Sequence, residues 1–143
     1  MNKKTIIKEI NYLNLKLYKA IIAKYKKLGI DVTPMHGRII MYIYNNPCDV
    51  CQKDIEKFIS CNKSTISNIL DTMEKKSLIK RVTSSSDSRI KIIKLTDKSL
   101  KIANKLSKNK ENIDKILRTD ISANEIDSFF TVLHKIEGNI ERI

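Results

Sequence analysis

Apolar residues recur along most of this chain at helical spacing, and in one stretch the period shortens to that of a strand. Over residues 63–76, Ile66, Ile69, Leu70 and Met73 fall on one face at the i, i+3, i+4, i+7 spacing of an amphipathic helix. The opposite face carries Ser64, Asn68, Asp71 and Lys75, flanked by Thr65, Ser67 and Thr72. Two short β-type runs then flank a serine-rich turn, with Asp87 and Arg89 where the turn ends. The pattern predicts a helix followed by a basic β-hairpin.

The same pattern predicts five more helices. Residues 5–28 carry Ile6, Ile10, Leu13, Leu17, Ile21 and Leu28 on one broad stripe, and Gly29 closes that helix as a C-terminal cap. Thr33-Pro34 opens a second helix, with Thr as N-cap and Pro at the first helical position, running to Asn45-Asn46-Pro47. A short third helix begins at Asp49 or Cys51 and runs through Phe58, and Ser60-Cys61-Asn62 forms the turn before the helix at 63–76. That spacing suits a helix-turn-helix. Thr96 caps a long helix reaching about residue 117. Ser122-x-x-Glu125 is a capping box opening the last helix, where Ile126, Phe129, Phe130, Leu133, Ile136 and Ile140 are apolar. No internal repeat or low-complexity segment interrupts the series.

The expected fold is mainly α with a small β-hairpin wing (α+β): a winged helix-turn-helix with helices at both chain ends that pair with a second copy. Residues 31–96 would form the winged lobe, and residues 1–30 and 97–143 the dimerisation helices. The alternative is that the terminal helices fold back on their own domain. They carry more apolar surface than a small winged core can cover, and two-fold symmetry suits two half-sites on DNA, so the dimer is the expectation.

The outer face of the helix at 63–76 bears small hydroxyl and amide groups, not the Glu/Lys pairs of a merely solvated face. Such groups approach base edges without clashing, and asparagine pairs bidentately with adenine. An ordinary surface helix is the plain alternative, and the hairpin with its arginine argues against it. The expected DNA contacts are Lys63, Ser64, Thr65, Ser67, Asn68, Thr72, Arg81, Asp87, Arg89 and Lys91.

Composition sets the remaining bounds. A chain of 143 residues suits one domain. Ile, Leu, Val and Phe make up about 30% of it, enough for a packed core. No apolar run reaches the ~18 residues of a membrane span, and Lys8 and Glu9 interrupt any signal-peptide core, so a cytoplasmic bacterial or archaeal protein without membrane partners is expected. The net charge of +12 points to a polyanionic partner. Residues 1–28 hold eight Lys and one Glu, residues 53–94 ten Lys or Arg and five acids, and residues 95–143 nine against eight. Only the second basic region coincides with the helix and hairpin.

The order and spacing of Gln52-Lys53-Asp54-Ile55, Ser64-Thr65-Ile66-Ser67, Leu70, Met73-Glu74-Lys75-Lys76, Leu78-Ile79, Arg81, Asp87-Ser88-Arg89 and Leu95-Thr96 resemble the MarR (multiple antibiotic resistance regulator) family. The resemblance extends over nearly the whole chain. It implies a homodimer built through both chain ends, recognition helices in successive major grooves of a pseudo-palindromic operator, and wings in the flanking minor grooves. It further implies a repressor relieved by a small, often aromatic or anionic ligand, or by cysteine oxidation. Two positions depart from the family pattern: Ser77 and Ser99 stand where glycine is common. A left-handed residue other than glycine at position 77 would cost roughly 1 kcal/mol.

A small anionic aromatic effector would meet Tyr12, His36, Arg38 and Tyr42 where the terminal helices join the winged lobe. The plain alternative places Tyr12 and Tyr42 in the core and pairs Arg38 with a surface acid. The competing signal is oxidation of Cys48, Cys51 or Cys61. A three-cysteine zinc site is not expected, because about eight helical residues separate Cys51 from Cys61 by roughly 12 Å. With two distant histidines, no nucleophile motif and three glycines in all, the chain lacks the marks of an enzyme, and no cofactor is expected. A non-specific, basic architectural DNA-binding protein is the alternative function, separable by its ratio of specific to non-specific binding.

Overall fold

The computed structural model describes residues 4–143, the side chain of Glu111 excepted. Six helices and one hairpin follow in order: α1 (Ile6–Lys27), α2 (Pro34–Asn45), α3 (Gln52–Ile59), α4 (Lys63–Lys75), β1 (Ile79–Thr83), β2 (Lys91–Leu95), α5 (Asp97–Leu117) and α6 (Ala123–Ile140). Most helix ends follow from side-chain chemistry. Thr33 Oγ1 accepts from the backbone N–H of His36 at 3.1 Å, Asn62 Oδ1 from that of Thr65 at 2.9 Å, and Ser122 and Glu125 satisfy each other's backbone N–H groups. Gly29, at φ +65°, ends α1 in the left-handed region.

Two compact units divide the chain, Met1–Ser107 and Lys108–Ile143, so the division falls inside α5 and groups α1 with the winged segment. In the first unit, the core is built by Ile39 and Ile40 of α2, Val50, Ile55 of α3, Ile66, Leu70 and Met73 of α4, Leu78 and Ile79, Ile93 of β2 and Ala103 of α5. The 3.6-residue period of α4 explains why its three buried residues share a face. Burial of such a cluster is the main favourable term holding α4 against its neighbours, at about 25 cal/mol per Å² of apolar area.

β1 and β2 pair antiparallel, with Ile79 opposite Leu95, Arg81 opposite Ile93 and Thr83 opposite Lys91. Cys51 adds an isolated antiparallel bridge to Ile92, and Val50 accepts a backbone hydrogen bond from Ile93 at 2.8 Å. The hairpin is thereby stitched to the N-terminus of α3. Ser77 adopts φ +55°, the left-handed geometry expected at this glycine-like position. Its N–H donates to Glu74 and that of Leu78 to Met73, while Thr96 Oγ1 donates to the Ser77 carbonyl at 2.6 Å. Ser99 is fully buried, and its hydroxyl accepts from the Thr96 N–H at 3.0 Å, so this serine helps cap α5.

The helix stripe of α1 divides along its length. Ile6, Ile10 and Leu13 are exposed, whereas Leu17, Ile21 and Leu28 are half-buried. In the second unit Ile126, Leu133 and Ile136 of α6 are half-buried, while Phe129, Phe130 and Ile140 are exposed, the two phenylalanines meeting edge to face at 5.4 Å. Among the described residues no helix is long and apolar enough to cross a membrane.

Candidate nucleic-acid interface

The buried face of α4 fixes which side chains its other face presents. Lys63, Ser64, Thr65, Asn68 and Thr72 are exposed, and Ser67 is half-buried. Two hydroxyls are already engaged locally: Ser64 Oγ donates to Asn62 Oδ1 at 2.9 Å, and Thr72 Oγ1 to the Asn68 carbonyl at 2.9 Å. Both oxygens retain acceptor capacity.

The hairpin tip is ordered by its own polar groups. Ser84 N–H donates to the Ile90 carbonyl at 2.9 Å, and Ile90 N–H to the Asp87 carbonyl at 3.0 Å. The Asp87 carboxylate accepts three bonds from Arg89: its backbone N–H at 3.0 Å, Nε at 3.2 Å and Nη2 at 3.2 Å. Asp87 and Arg89, two residues apart where the turn ends, are therefore paired. The Arg89 guanidinium beside it holds the Asp87 carboxyl below its ordinary pKa. The Arg89 side chain nonetheless remains 89% exposed, so its cationic face is available. Lys91, also exposed, donates to Thr83 Oγ1 at 2.6 Å across the strand pair.

Between α3 and the hairpin lies a cleft of about 550 Å³ whose lining includes Gln52, Lys53, Lys63, Asp87, Arg89 and Lys91. Gln52 and Lys53 belong to the segment that carries the family resemblance but were not among the expected DNA contacts. That resemblance was the available signal. Gln52 Nε2 donates to Glu56 Oε1 at 3.0 Å, and Asp54 accepts from the Cys51 N–H at 2.8 Å, fixing the start of α3.

Arg81 is placed otherwise than the other cations. Its Nη1 lies 2.6 Å from Glu74 Oε2 and its Nη2 2.8 Å from Asp71 Oδ1, and its side chain is 22% exposed.

The four residues proposed for an effector occupy three surroundings. Arg38 and Tyr42 both engage Phe58 of α3, Arg38 at 5.7 Å from the ring centroid and Tyr42 stacked at 4.2 Å. His36 is buried, and its Nδ1 lacks a hydrogen-bond partner. Burial, and then the charge of Lys76, push its pKa down, so the imidazole is neutral near pH 7. Tyr12 stands exposed on α1 with the Lys16 ammonium 5.3 Å from its ring centroid. Arg38 and Tyr42 thus share one aromatic neighbour, while His36 and Tyr12 stand apart. The difference arises because α2 turns residues 36 and 38 by about 200° relative to each other.

All three cysteines are free thiols, Cys48 exposed and Cys51 and Cys61 half-buried. Cys51 also lines the basic cleft. Among the described residues no group of three or more His, Cys, Asp or Glu is arranged to hold a metal ion.

A short helix, a turn, a second helix with a polar outer face and a basic hairpin beside it define a winged helix-turn-helix protein. The MarR family model matches residues 32–91. Solved structures of the same fold include the S. aureus MepR–DNA complex, at TM-score 0.86 and 23% identity, covering 96% of this chain and 99% of that one. The transcription regulator MarR from Oenococcus oeni PSU-1 matches at TM-score 0.77 and 24% identity, over 94% and 99% of the two chains. The heme sensor protein PefR from Streptococcus agalactiae, solved with heme, matches at TM-score 0.73 and 24% identity, over 96% and 95%.

Proposed function

We propose that the protein is a homodimeric, sequence-specific DNA-binding regulator that represses transcription in the cytoplasm until a small-molecule or redox signal releases it. The observation that carries this reading is the pairing of an exposed hydroxyl-and-amide face on α4 with an 89%-exposed arginine at the tip of the hairpin. In this reading α4 enters the major groove, where Ser64, Thr65 and Asn68 meet base edges, and Arg89 enters the adjacent minor groove. In the same reading the cations and amide at the cleft, Lys63, Lys91, Gln52 and Lys53, meet backbone phosphates. That MepR of the same fold has been solved on DNA supports the reading. Residues 31–96 act as the DNA-binding lobe, and the helices of 1–30 and 97–143 join two copies.

A signal-responsive protein of the same fold, heme-bound PefR, supports release by a small ligand. Here Arg38 beside the Tyr42–Phe58 stack is a place where an anionic aromatic molecule would find a cation and a ring face. The free thiols are the competing route of release.

The test is direct. The purified protein should select, from random duplexes or genomic DNA, a pseudo-palindrome with half-sites about one helical turn apart. Its affinity should fall steeply with salt as Lys and Arg displace counterions. The net charge of +12 favours non-specific architectural binding as the second reading. Equal affinity for every duplex at physiological salt would establish that reading in place of the first.

A further inference from the structure

Arg81 and the two carboxylates it grips are unusual for a surface that is to lie against phosphates. Asp71 and Glu74 are three residues apart on α4, hence neighbours on one exposed face of the helix. Left alone, they would set two negative charges on the element that the proposed function sends into the major groove. Arg81 projects from β1 and closes on both. Each of its terminal nitrogens meets a different carboxylate, at 2.6 and 2.8 Å. A planar guanidinium can do this, whereas a lysine ammonium is a single point charge.

The pairing also spans elements. β1 leaves α4 through the left-handed Ser77, and Leu78 and Ile79 bury themselves at the root of the strand. Arg81 ties the strand to α4 farther out, where no buried side chain of β1 holds it: Val82 and Thr83 are exposed. Its position opposite Ile93, whose side chain is buried, fixes it in register with β2.

We infer that Arg81 is a positioning residue: it sets the wing against the recognition helix and neutralises Asp71 and Glu74, and it does not itself contact DNA. The inference rests on the DNA-binding reading above. Arg89, 89% exposed although paired with Asp87, is the outward-facing wing cation, and Arg81, 22% exposed with both terminal nitrogens occupied, is the internal one. An isolated surface ion pair would do little, but a bidentate network anchored on a paired strand is the arrangement in which such pairs matter.

The experiment compares wild type, Arg81→Gln, Asp71→Asn/Glu74→Gln and the triple variant. One arm follows amide hydrogen exchange over residues 79–95 without DNA. The other follows binding to the selected duplex and to a scrambled one across a salt series. Arg81→Gln should raise exchange in the hairpin and lower specific affinity roughly five- to tenfold, with the slope of log affinity on log salt unchanged. The same substitution should cost little in the Asp71→Asn/Glu74→Gln background, because the partners it serves are gone. Arg81→Lys should rescue only part of the loss. The inference is overturned if Arg81→Gln weakens both duplexes equally, lowers the salt slope by about one and costs as much in either background, which is the behaviour of a phosphate contact. It is also overturned if hairpin exchange does not respond. If wild type itself fails to distinguish the two duplexes, the regulator reading falls, and the exchange arm still decides whether Arg81 holds the wing.

Discussion

At the level of single residues, the carboxylate at the wing tip would both help and hinder the proposed DNA contact. Asp87 aligns Arg89 through three hydrogen bonds, yet it also brings a negative charge toward the phosphates. Alignment should win. An exposed arginine otherwise samples many rotamers, while the narrow minor groove rewards one well-placed cation. Arg89→Ala should therefore weaken operator binding by roughly 1–3 kcal/mol. Asp87→Ala should weaken it less, and in the same direction. Fluorescence anisotropy at fixed salt measures both, and a near-native curve for Arg89→Ala would remove the wing from the interface. The Asp87–Arg89 pairing was legible in the sequence because its partners are two residues apart in a turn. The engagement of Arg81 was not, because Asp71 and Glu74 lie ten and seven residues away and meet it only after the strand doubles back. The surroundings of Tyr12, His36, Arg38 and Tyr42 were equally hidden. Which face of α2 is covered depends on α1 and α3, as Phe58 shows by drawing Arg38 and Tyr42 to one side.

Among the elements, helix boundaries were written in short-range chemistry: Thr33-Pro34, Gly29 and the Ser122–Glu125 box each act within one turn of chain. The bridge from Cys51 to Ile92 had no such signal, since a single residue of extended backbone has no period to detect. Ser77 was legible only through the family resemblance, which puts glycine at the end of this helix and so implies a left-handed residue there. That joint sets the angle at which β1 leaves α4, and here a serine bears φ +55° without the freedom of glycine. Ser77→Gly should stabilise the protein by roughly 0.5–1 kcal/mol, the relief of the Cβ strain exceeding the added freedom of the unfolded chain. The geometry should persist, because the bonds that define it are to backbone atoms: Leu78 N–H to Met73, and Thr96 Oγ1 to the Ser77 carbonyl. Thermal unfolding should show a rise in Tm of a few degrees with operator affinity unchanged. A lower Tm would mean that the serine side chain contributes something the backbone account omits.

For the whole molecule, the decisive feature is apolar surface that one chain leaves uncovered at both of its ends. Ile6 and Leu13 of α1 are 60% and 61% exposed, and Phe129 of α6 is 53% exposed. Scattered apolar residues on a surface are ordinary, but a stripe that is partly covered in one half and bare in the other is what the proposed dimer would use as an interface. The bare residues of α1 continue the period of the half-buried Leu17, Ile21 and Leu28, so one stripe is partly covered at its C-terminal end and open at its N-terminal end. A second copy is the occupant that the proposed two-fold operator would require. Leu13→Asp combined with Phe129→Asp should then leave the winged core intact, since neither residue is buried within its own unit. It should instead give a monomer by light scattering at micromolar concentration, with the helical circular dichroism of the lobe retained. The effect on DNA follows from tethering. In a dimer the second half-site is bound at the effective concentration set by the first, which is worth some 10²–10⁴-fold. The monomer should therefore lose about that factor on the full palindrome while binding an isolated half-site as wild type does. A wild-type chain that is itself a stable monomer, or a double variant that remains dimeric, would place the partner surface elsewhere.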